Sequence, residues 1–217
     1  MKEKINKKVE EYIDSLVKMF IEDLRRVLNT GINSQELVRL FLEESIKVNI
    51  SSMEKTNKKI RGNVFTRVNS ILSEKGIYVK PIRKNEFNCR VSLIGDFSSK
   101  ELWIRIKDGE IILEKRYLIE SGKRAFEEIT KRLVEDITDS AVLFGERAVK
   151  LRLGETVRLQ DINILLSIKS ETARRKIILV AVQKLKEVQI AAEFGKCKSN
   201  SEEGRYDCTI YMIDNAS

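Results

Sequence analysis

The 217-residue sequence contains no histidine and only three cysteines. Without histidine, the chain has no Ser-His-Asp triad, no Cys-His dyad and no zinc site that uses histidine. Cys89, Cys197 and Cys208 form no C-x-x-C pair, and three cysteines cannot build a four-cysteine zinc site. The sequence therefore predicts a protein without a metal or other cofactor.

The sequence also lacks the glycine-rich loops of nucleotide-dependent enzymes, since it contains neither G-x-x-x-x-G-K-[ST] nor G-x-G-x-x-G. No apolar run approaches the roughly 18–20 residues that a membrane span requires. Residues 1–8 are mostly charged or polar and lack the apolar core of a signal peptide. We therefore expect a cytoplasmic protein with no membrane partner.

Positive charge is what the sequence has in excess. Lysine and arginine number 41 against 33 aspartates and glutamates, a net charge of +8. The excess is concentrated in residues 51–90 and residues 147–186, each with 10 basic and 3 acidic residues. Clustered positive charge is typical of nucleic-acid binding, although two solvated faces of a basic protein would produce the same pattern.

Two amphipathic helices are predicted at the start of the chain. Apolar residues recur every three or four positions over residues 3–29, and Gly31 in a left-handed conformation would end that helix. Asn33 is the predicted cap of a second helix over residues 34–48. The two helices would form a hairpin or pair with another copy, so residues 1–50 are a candidate oligomerisation region with a coiled-coil-like stripe.

A third helix is predicted over residues 52–75, capped by Ser51 and ended by Gly76. Its lysines, and basic residues of the hairpin after it, are point charges that would bind phosphates without reading bases. A solvated lysine face is the alternative. The candidate phosphate-binding residues here are Lys55, Lys58, Lys59, Arg61, Arg67, Lys80, Arg83 and Lys84.

A central antiparallel β-meander follows, because the apolar period changes to two. Residues 77–82 and 87–93 form one predicted hairpin, in which Pro81 favours an edge strand since it has no N–H for the ladder. A second hairpin is predicted over residues 102–107 and 110–115, around an Asp-Gly turn. No internal sequence repeat is evident.

Three carboxylates at the second hairpin, Asp108, Glu110 and Glu114, are the candidates for catalysis. Carboxylates at this spacing can hold Mg²⁺ in a nuclease. However, the nuclease pattern also includes Glu-x-Lys, whereas Glu114 directly precedes Lys115. Turn residues and an exposed strand face account for these acids, so we do not expect an enzyme.

The C-terminal part of the chain shows a familiar order of elements. Residues 122–213 read as a helix, a short strand near 147–153, a helix over 159–168, a tight break, a helix over 171–187 and two final strands. This order resembles a winged helix-turn-helix, a fold widely used for DNA binding. The likeness lies in element order and in no signature motif.

The resemblance implies that residues 171–187 are a recognition helix whose first turns enter the major groove. Arginine can bridge guanine O6 and N7, while threonine and lysine can contact base edges or phosphates. The alternative is that the apolar residues 177–182 form a buried strand, which would exclude this fold. The implied recognition residues are Thr172, Arg174, Arg175 and Lys176, and the implied phosphate contacts on the wing are Lys196, Lys198 and Arg205.

Cys197 and Cys208 flank the loop of the final hairpin. A hairpin centred on residues 199–206 would place the two cysteines opposite each other, within disulfide range at a non-hydrogen-bonded pair. They are a candidate disulfide, whereas two reduced thiols are the expectation for a cytosolic protein.

These observations predict an α+β fold with an N-terminal helical region, a central β-meander and a C-terminal winged-helix-like unit. The predicted segments are residues 1–50, residues 51–118 and residues 119–217. The predicted function is binding of double-stranded DNA as a homo-oligomer, in regulation, replication or partition of a genetic element. Two alternatives are an assembly protein that binds partner chains through its long helices, and RNA binding by the central sheet.

Overall fold

The fold was analysed in a computed structural model that describes residues 2–82, 87–94, 103–106, 109–112, 115–143, 145–160, 162–197 and 205–213. The chain has the predicted α+β class, with helices first and a strand hairpin last. It divides into two compact units, Met1–Lys123 and Arg124–Ser217. None of the described helices is long and apolar enough to cross a membrane.

In its described residues, the N-terminal unit has two helices before its first strand and a third helix after that strand. A π-helical turn, Val27–Gly31, extends the first helix, and a short 3-10 turn, Ser51–Met53, precedes the third. A helix α4 begins in this unit at Lys115 and ends at Val142. The first three helices are α1 (Lys2–Arg26), α2 (Ser34–Phe41) and α3 (Lys58–Ser73).

The strands of the N-terminal unit form a three-stranded antiparallel sheet and a separate two-stranded hairpin. Strand β3 lies between β1 and β2, so β2, which ends at Pro81, is an edge strand as predicted. The predicted meander is therefore divided between two sheets in the described residues. The strands are β1 (Ile46–Asn49), β2 (Ile77–Pro81), β3 (Asn88–Leu93), β4 (Trp103–Ile106) and β5 (Gly109–Ile112).

The core of this unit lies between α1, α3 and one face of the β1-β3-β2 sheet. The rings of Phe20 on α1 and Phe65 on α3 meet edge to face, with centroids 5.1 Å apart. Residues 1–50 thus share a core with residues 51–93, and they do not form a separate hairpin. Burial of the apolar stripe of α1 against α3 and the sheet explains why the expected boundary near residue 50 is absent.

Asp23 on α1 holds the turn that follows β1. Its Oδ2 accepts hydrogen bonds from the Ser51 hydroxyl at 3.0 Å and from the Ser52 N–H at 2.7 Å. Partial burial disfavours the charged carboxylate, but the bonds from Ser52 and Ser51 and the charge of Arg26 outweigh burial and lower the pKa of Asp23.

Several predicted boundaries in this unit are corrected. The Asn33 cap is confirmed, but α2 ends at Phe41, and residues predicted to continue it form β1 instead. Gly31 is not left-handed, because the helix widens into a π turn and the chain leaves through extended Ile32. Asn57, rather than Ser51, caps α3, accepting a hydrogen bond from the N–H of Ile60 at 3.0 Å.

In the part of the C-terminal unit that the structure describes, the end of α4 is followed by three helices and three strands. The strands form one antiparallel sheet in which the last strand, β8, lies between β6 and β7. The elements are α5 (Gly145–Arg152), β6 (Val157–Leu159), α6 (Asn163–Ser167), α7 (Glu171–Glu187), β7 (Ile190–Cys197) and β8 (Arg205–Met212).

Two predictions for this unit are wrong in position and one is confirmed. The segment predicted as a strand near residues 147–153 is helix α5, and the strand follows it as β6. The helix predicted over residues 159–168 is only the short α6. The helix predicted over 171–187 has those bounds, which excludes the buried-strand alternative.

Candidate nucleic-acid interface

Helix α7 presents one face to the core and the opposite face to solvent. The Ser170 hydroxyl caps it by accepting a hydrogen bond from the N–H of Ala173 at 3.1 Å. A stripe at four-residue spacing is buried, and it consists of Ala173, Ile177, Ala181 and Leu185. The far side carries the exposed residues Thr172, Arg175, Lys176, Leu179, Gln183 and Lys186, and the exposed Glu171 and Glu187 flank it at the two ends of the helix.

The structure brings together three of the four predicted recognition residues. Thr172, Arg175 and Lys176 share the exposed face in the first turns of α7. Arg175 also lies 2.8 Å from the Glu171 carboxylate, one turn earlier. Because both side chains of this ion pair are exposed, it is weak and does not hold Arg175 away from a ligand.

Arg174 is placed differently from its predicted role. Its guanidinium lies over the ring of Tyr206 on β8, 5.4 Å from the ring centroid, and the side chain is half-buried. One residue along a helix turns the side chain by about 100°, which takes Arg174 off the face that carries Arg175. Arg174 therefore joins α7 to the sheet instead of facing a ligand.

Two residues of the exposed α7 face escaped the sequence analysis. Leu179 is 69% exposed although it lies within the apolar run that suggested burial on every side. Gln183 lies one turn further along the same face. Helical phase from the Ser170 cap could have identified both, since they are seven and eleven residues after Thr172.

The hairpin of β7 and β8 follows α7 directly. By strand register, Lys196 is opposite Tyr206 and Cys197 is opposite Arg205, at the end of the hairpin next to its loop. Lys196 and Arg205, two of the predicted phosphate contacts, are thus placed by strand register alone. Lys198 lies outside the described residues.

The candidate disulfide between Cys197 and Cys208 does not form. Cys208 is opposite Phe194 on β7 and Leu159 on β6, not opposite Cys197. The hairpin register differs from the predicted one by three residues, because Cys197 pairs with Arg205 instead of Cys208. Cys208 is a free thiol, and burial raises its pKa to about 12.

In the N-terminal unit, the predicted phosphate-binding residues divide into accessible and engaged groups. Lys55, Lys58, Lys59 and Lys80 are exposed. Arg61 is buried and donates to the Thr56 carbonyl at 2.6 Å.

Arg67 is engaged by two carboxylates of α1. Its Nη1 lies 2.7 Å from Asp14 Oδ1, and its Nη2 bonds to Glu10. The Glu10 hydrogen bond is the main cause of the raised pKa of Arg67. Arg67 therefore links α1 to α3 and is not available to a phosphate without breaking both contacts.

Lys47 and Arg90 are cations that the sequence analysis missed. Across the sheet, Lys47 on β1 is opposite Arg90 on β3, which is opposite Lys80 on β2. All three are exposed, so they form a cationic row on the outer face of the sheet. In the part of the chain that the structure describes, none of the three pairs with a carboxylate. Sheet alternation from the buried Val48 and Val91 could have placed them.

A groove of about 880 Å³ lies between α3 and this outer face. Lys58, Lys80 and Arg90 line it together with the exposed ring of Tyr78, and none of its described lining residues is acidic. Cations without carboxylates, beside an exposed aromatic ring, can bind a phosphate backbone and stack on a base.

Some predicted residues cannot be placed. Arg83, Lys84, Asp108 and Glu114 lie outside the described residues, and Glu110 is placed only as a member of β5. Among the residues that are described, no cluster of three or more metal-ligating side chains occurs.

Neither a protein-family model, nor a curated protein, nor a solved structure matches the chain.

Proposed function

We propose that the protein binds double-stranded DNA through its C-terminal unit, with α7 in the major groove. The observation that carries the proposal is the exposed face of α7, polar except for Leu179, which begins at the cap and continues for three turns. The fold of the unit supports it. A helix, a short strand, a short helix, α7 and a hairpin follow in the order of a winged helix-turn-helix, and the last strand lies in the middle of the sheet.

The side chains on this face suit contact with base edges. Arg175 can bridge O6 and N7 of guanine, and Gln183 can bond N6 and N7 of adenine. Leu179 offers apolar contact to a thymine methyl group, which gives a role to a leucine that is exposed to water. Thr172 and Lys176 serve base edges or phosphates. Such a protein would regulate, replicate or partition a genetic element.

Self-association through α1 is the second part of the proposal. The first turns of α1 project beyond the core, which starts at Ile13, and carry the exposed apolar residues Ile5, Val9 and Tyr12 on one side. An apolar stripe of this kind suits the same stripe of a second copy. The same stripe would also serve the alternative function, an assembly protein that binds partner chains.

The DNA proposal is tested with a pool of randomised 30-base-pair duplexes and fluorescence anisotropy over a range of salt concentrations. The Arg175→Ala, Lys176→Ala variant should bind at least about tenfold more weakly than the parent chain, and its salt dependence should be shallower. Lys131→Ala on α4 removes an exposed lysine of the same unit and serves as the control.

Unchanged binding by the α7 variant would refute the role of this helix, and absence of binding by the parent chain at low salt would refute DNA binding altogether. For self-association, Ile5→Ser with Val9→Ser should lower the mass measured by light scattering. These residues are exposed, so the substitutions leave the core intact. An unchanged mass would contradict an α1 interface.

A further inference from the structure

The N-terminal unit repeats the arrangement of the C-terminal unit. In both, a helix is followed by a short strand, a helical turn, a long helix and a hairpin of two strands. The sheets are ordered β1-β3-β2 and β6-β8-β7, so the last strand is central in each. Helix α3 therefore holds the place in its unit that α7 holds in the other.

The equivalence of α3 and α7 extends to individual hydrogen bonds. Asn57 caps α3 and Ser170 caps α7, each through a side-chain oxygen that accepts from the N–H three residues later. Arg61 and Arg174 occupy the fourth position after the cap in both helices, and both guanidinium groups turn away from the exposed face.

The connection from helix to sheet matches as well. Each helix is followed by a residue of left-handed conformation, Gly76 with φ 70° and Gln189 with φ 63°. The carbonyl of each accepts a hydrogen bond from the residue that ends the hairpin, Ile94 at 2.8 Å and Ile213 at 2.9 Å. The same number of residues separates the cap from this turn in both units.

The strand registers agree too. Cys89 is opposite Val48 on one side and Pro81 on the other, as Cys208 is opposite Leu159 and Phe194. Agreement in register, caps and turns over the whole motif is what two copies of one structural unit would have.

We infer that α3 is a second DNA-reading helix, so that the chain contacts duplex DNA at two places. This inference rests on the proposed function of α7 and assigns the same role to its counterpart. By position after the cap, Lys59 corresponds to Thr172 and Asn63 to Lys176. Further along the face, Thr66 corresponds to Leu179 and Ser70 to Gln183.

The chemistry of the α3 face supports this role. Lys59, Asn63, Thr66 and Ser70 are all exposed, and α3 contains no acidic residue. Asparagine can bond N6 and N7 of adenine, while threonine and serine can serve either base edges or phosphates. At Gly62, on the same side of the helix, a Cβ would meet no atom within 4 Å, which leaves room for a DNA backbone.

The cationic row supplies the phosphate contacts beside this helix. Lys80 and Arg90 line the same groove as Lys58, Gly62 and Thr66 of α3. A phosphate chain along the groove would thus meet cations from both the helix and the sheet, at the position where a wing borders the reading helix.

The test is selection of bound sequences from the randomised duplex pool, with the full chain and with two variants. One variant carries Asn63→Ala and Thr66→Ala on α3, and the other carries Arg175→Ala and Lys176→Ala on α7. The parent chain should select a site with two blocks of preferred bases. Each variant should lose one block, a different one, with about tenfold or greater loss of affinity for the parent site. Lys8→Ala on α1 is the control for the N-terminal unit.

The outcomes separate the two claims. If the α7 variant loses a block and the α3 variant selects the parent site with parent affinity, the inference is wrong and the proposed function stands. If neither variant changes the selected sequence, the inference about α3 and the proposed function of α7 are both wrong. The parent chain could instead prefer a single-stranded 30-mer over the duplex, and Tyr78→Ala could abolish that preference. This result would indicate base stacking on the sheet and would overturn the inference.

Discussion

Cys89 and Cys208 occupy the same position in the central strands of the two three-stranded sheets. Both thiols are free and fully buried, and burial raises the pKa of each to about 12. A thiol held in its neutral form by an apolar environment is a poor nucleophile, because only the thiolate attacks. The two cysteines therefore act as small core residues.

We expect these thiols to make the folded state sensitive to alkaline pH. The unfolded chain ionises its thiols at the ordinary pKa near 9, whereas the folded chain keeps them protonated to about pH 12. The free energy of unfolding should be unaffected below pH 9 and should fall above it, by about 1.4 kcal/mol per pH unit for each thiol. Denaturant unfolding between pH 7 and pH 11 measures this slope.

The comparison variant carries Cys89→Ala and Cys208→Ala, which removes the two thiols while tyrosine and lysine titration is retained. Its slope above pH 9 should be shallower than that of the parent chain. Equal slopes would contradict the burial of the thiols, as would alkylation of the Cys89 and Cys208 peptides in the folded protein at pH 8.

Gly76 and Gln189 both have a left-handed backbone conformation, so substitutions at these two positions should change the free energy of unfolding in opposite directions. Glycine adopts positive φ without penalty, whereas other residues pay roughly 1 kcal/mol. Gly76→Ala should therefore lower the free energy of unfolding by about 1 kcal/mol, and Gln189→Gly should raise it by about 0.5–1 kcal/mol. Urea unfolding of both variants tests the shared turn, and a loss of stability in Gln189→Gly would contradict it.

Two helical glycines predict a second contrast. A Cβ at Gly122 on α4 would lie 2.5 Å from the Leu37 carbonyl oxygen and 2.7 Å from Phe41 Cβ, so α4 and α2 would have to separate. Gly122→Ala should destabilise the protein by about 1–3 kcal/mol. Gly62→Ala, in open space on α3, should stabilise it by about 0.5–1 kcal/mol. Thermal unfolding distinguishes them, and a stable Gly122→Ala protein would contradict the close approach.

Local signals predicted some elements and misplaced others, since the Asn33 cap of α2 was identified and the Asn57 cap of α3 was missed. The bounds of α7 match the helix predicted after the break at residues 169–170, and the two central hairpins follow from alternation. The sequence analysis extends the second helix through residues 46–48, although Ile46 and Val48 are two residues apart, which is the spacing of a strand. Only pairing with β3, which is distant in sequence, decides between the two.

The sequence predicts which basic residues belong to the candidate site better than it predicts where each side chain lies. Exposed cations on α7 are identified by the sequence. Arg174 is predicted on the same face as Arg175, although helical phase turns it about 100° away, and its contact with Tyr206 joins residues far apart in the chain. The repeat was not evident in the sequence because most of its counterparts share burial and conformation but differ in residue type. Gly76 corresponds to Gln189, and Val68 on α3 corresponds to Ala181.

Three like charges side by side give the N-terminal sheet an unusual response to its solvent. Lys47, Arg90 and Lys80 repel one another across neighbouring strands, and dissolved ions weaken that repulsion over a distance of about 10 Å at 0.1 M. Added salt should therefore stabilise this sheet. A surface held together by ion pairs would instead be destabilised by salt. In dilute buffer this repulsion is strongest, so an anion that binds to the cationic row should stabilise the sheet most under that condition.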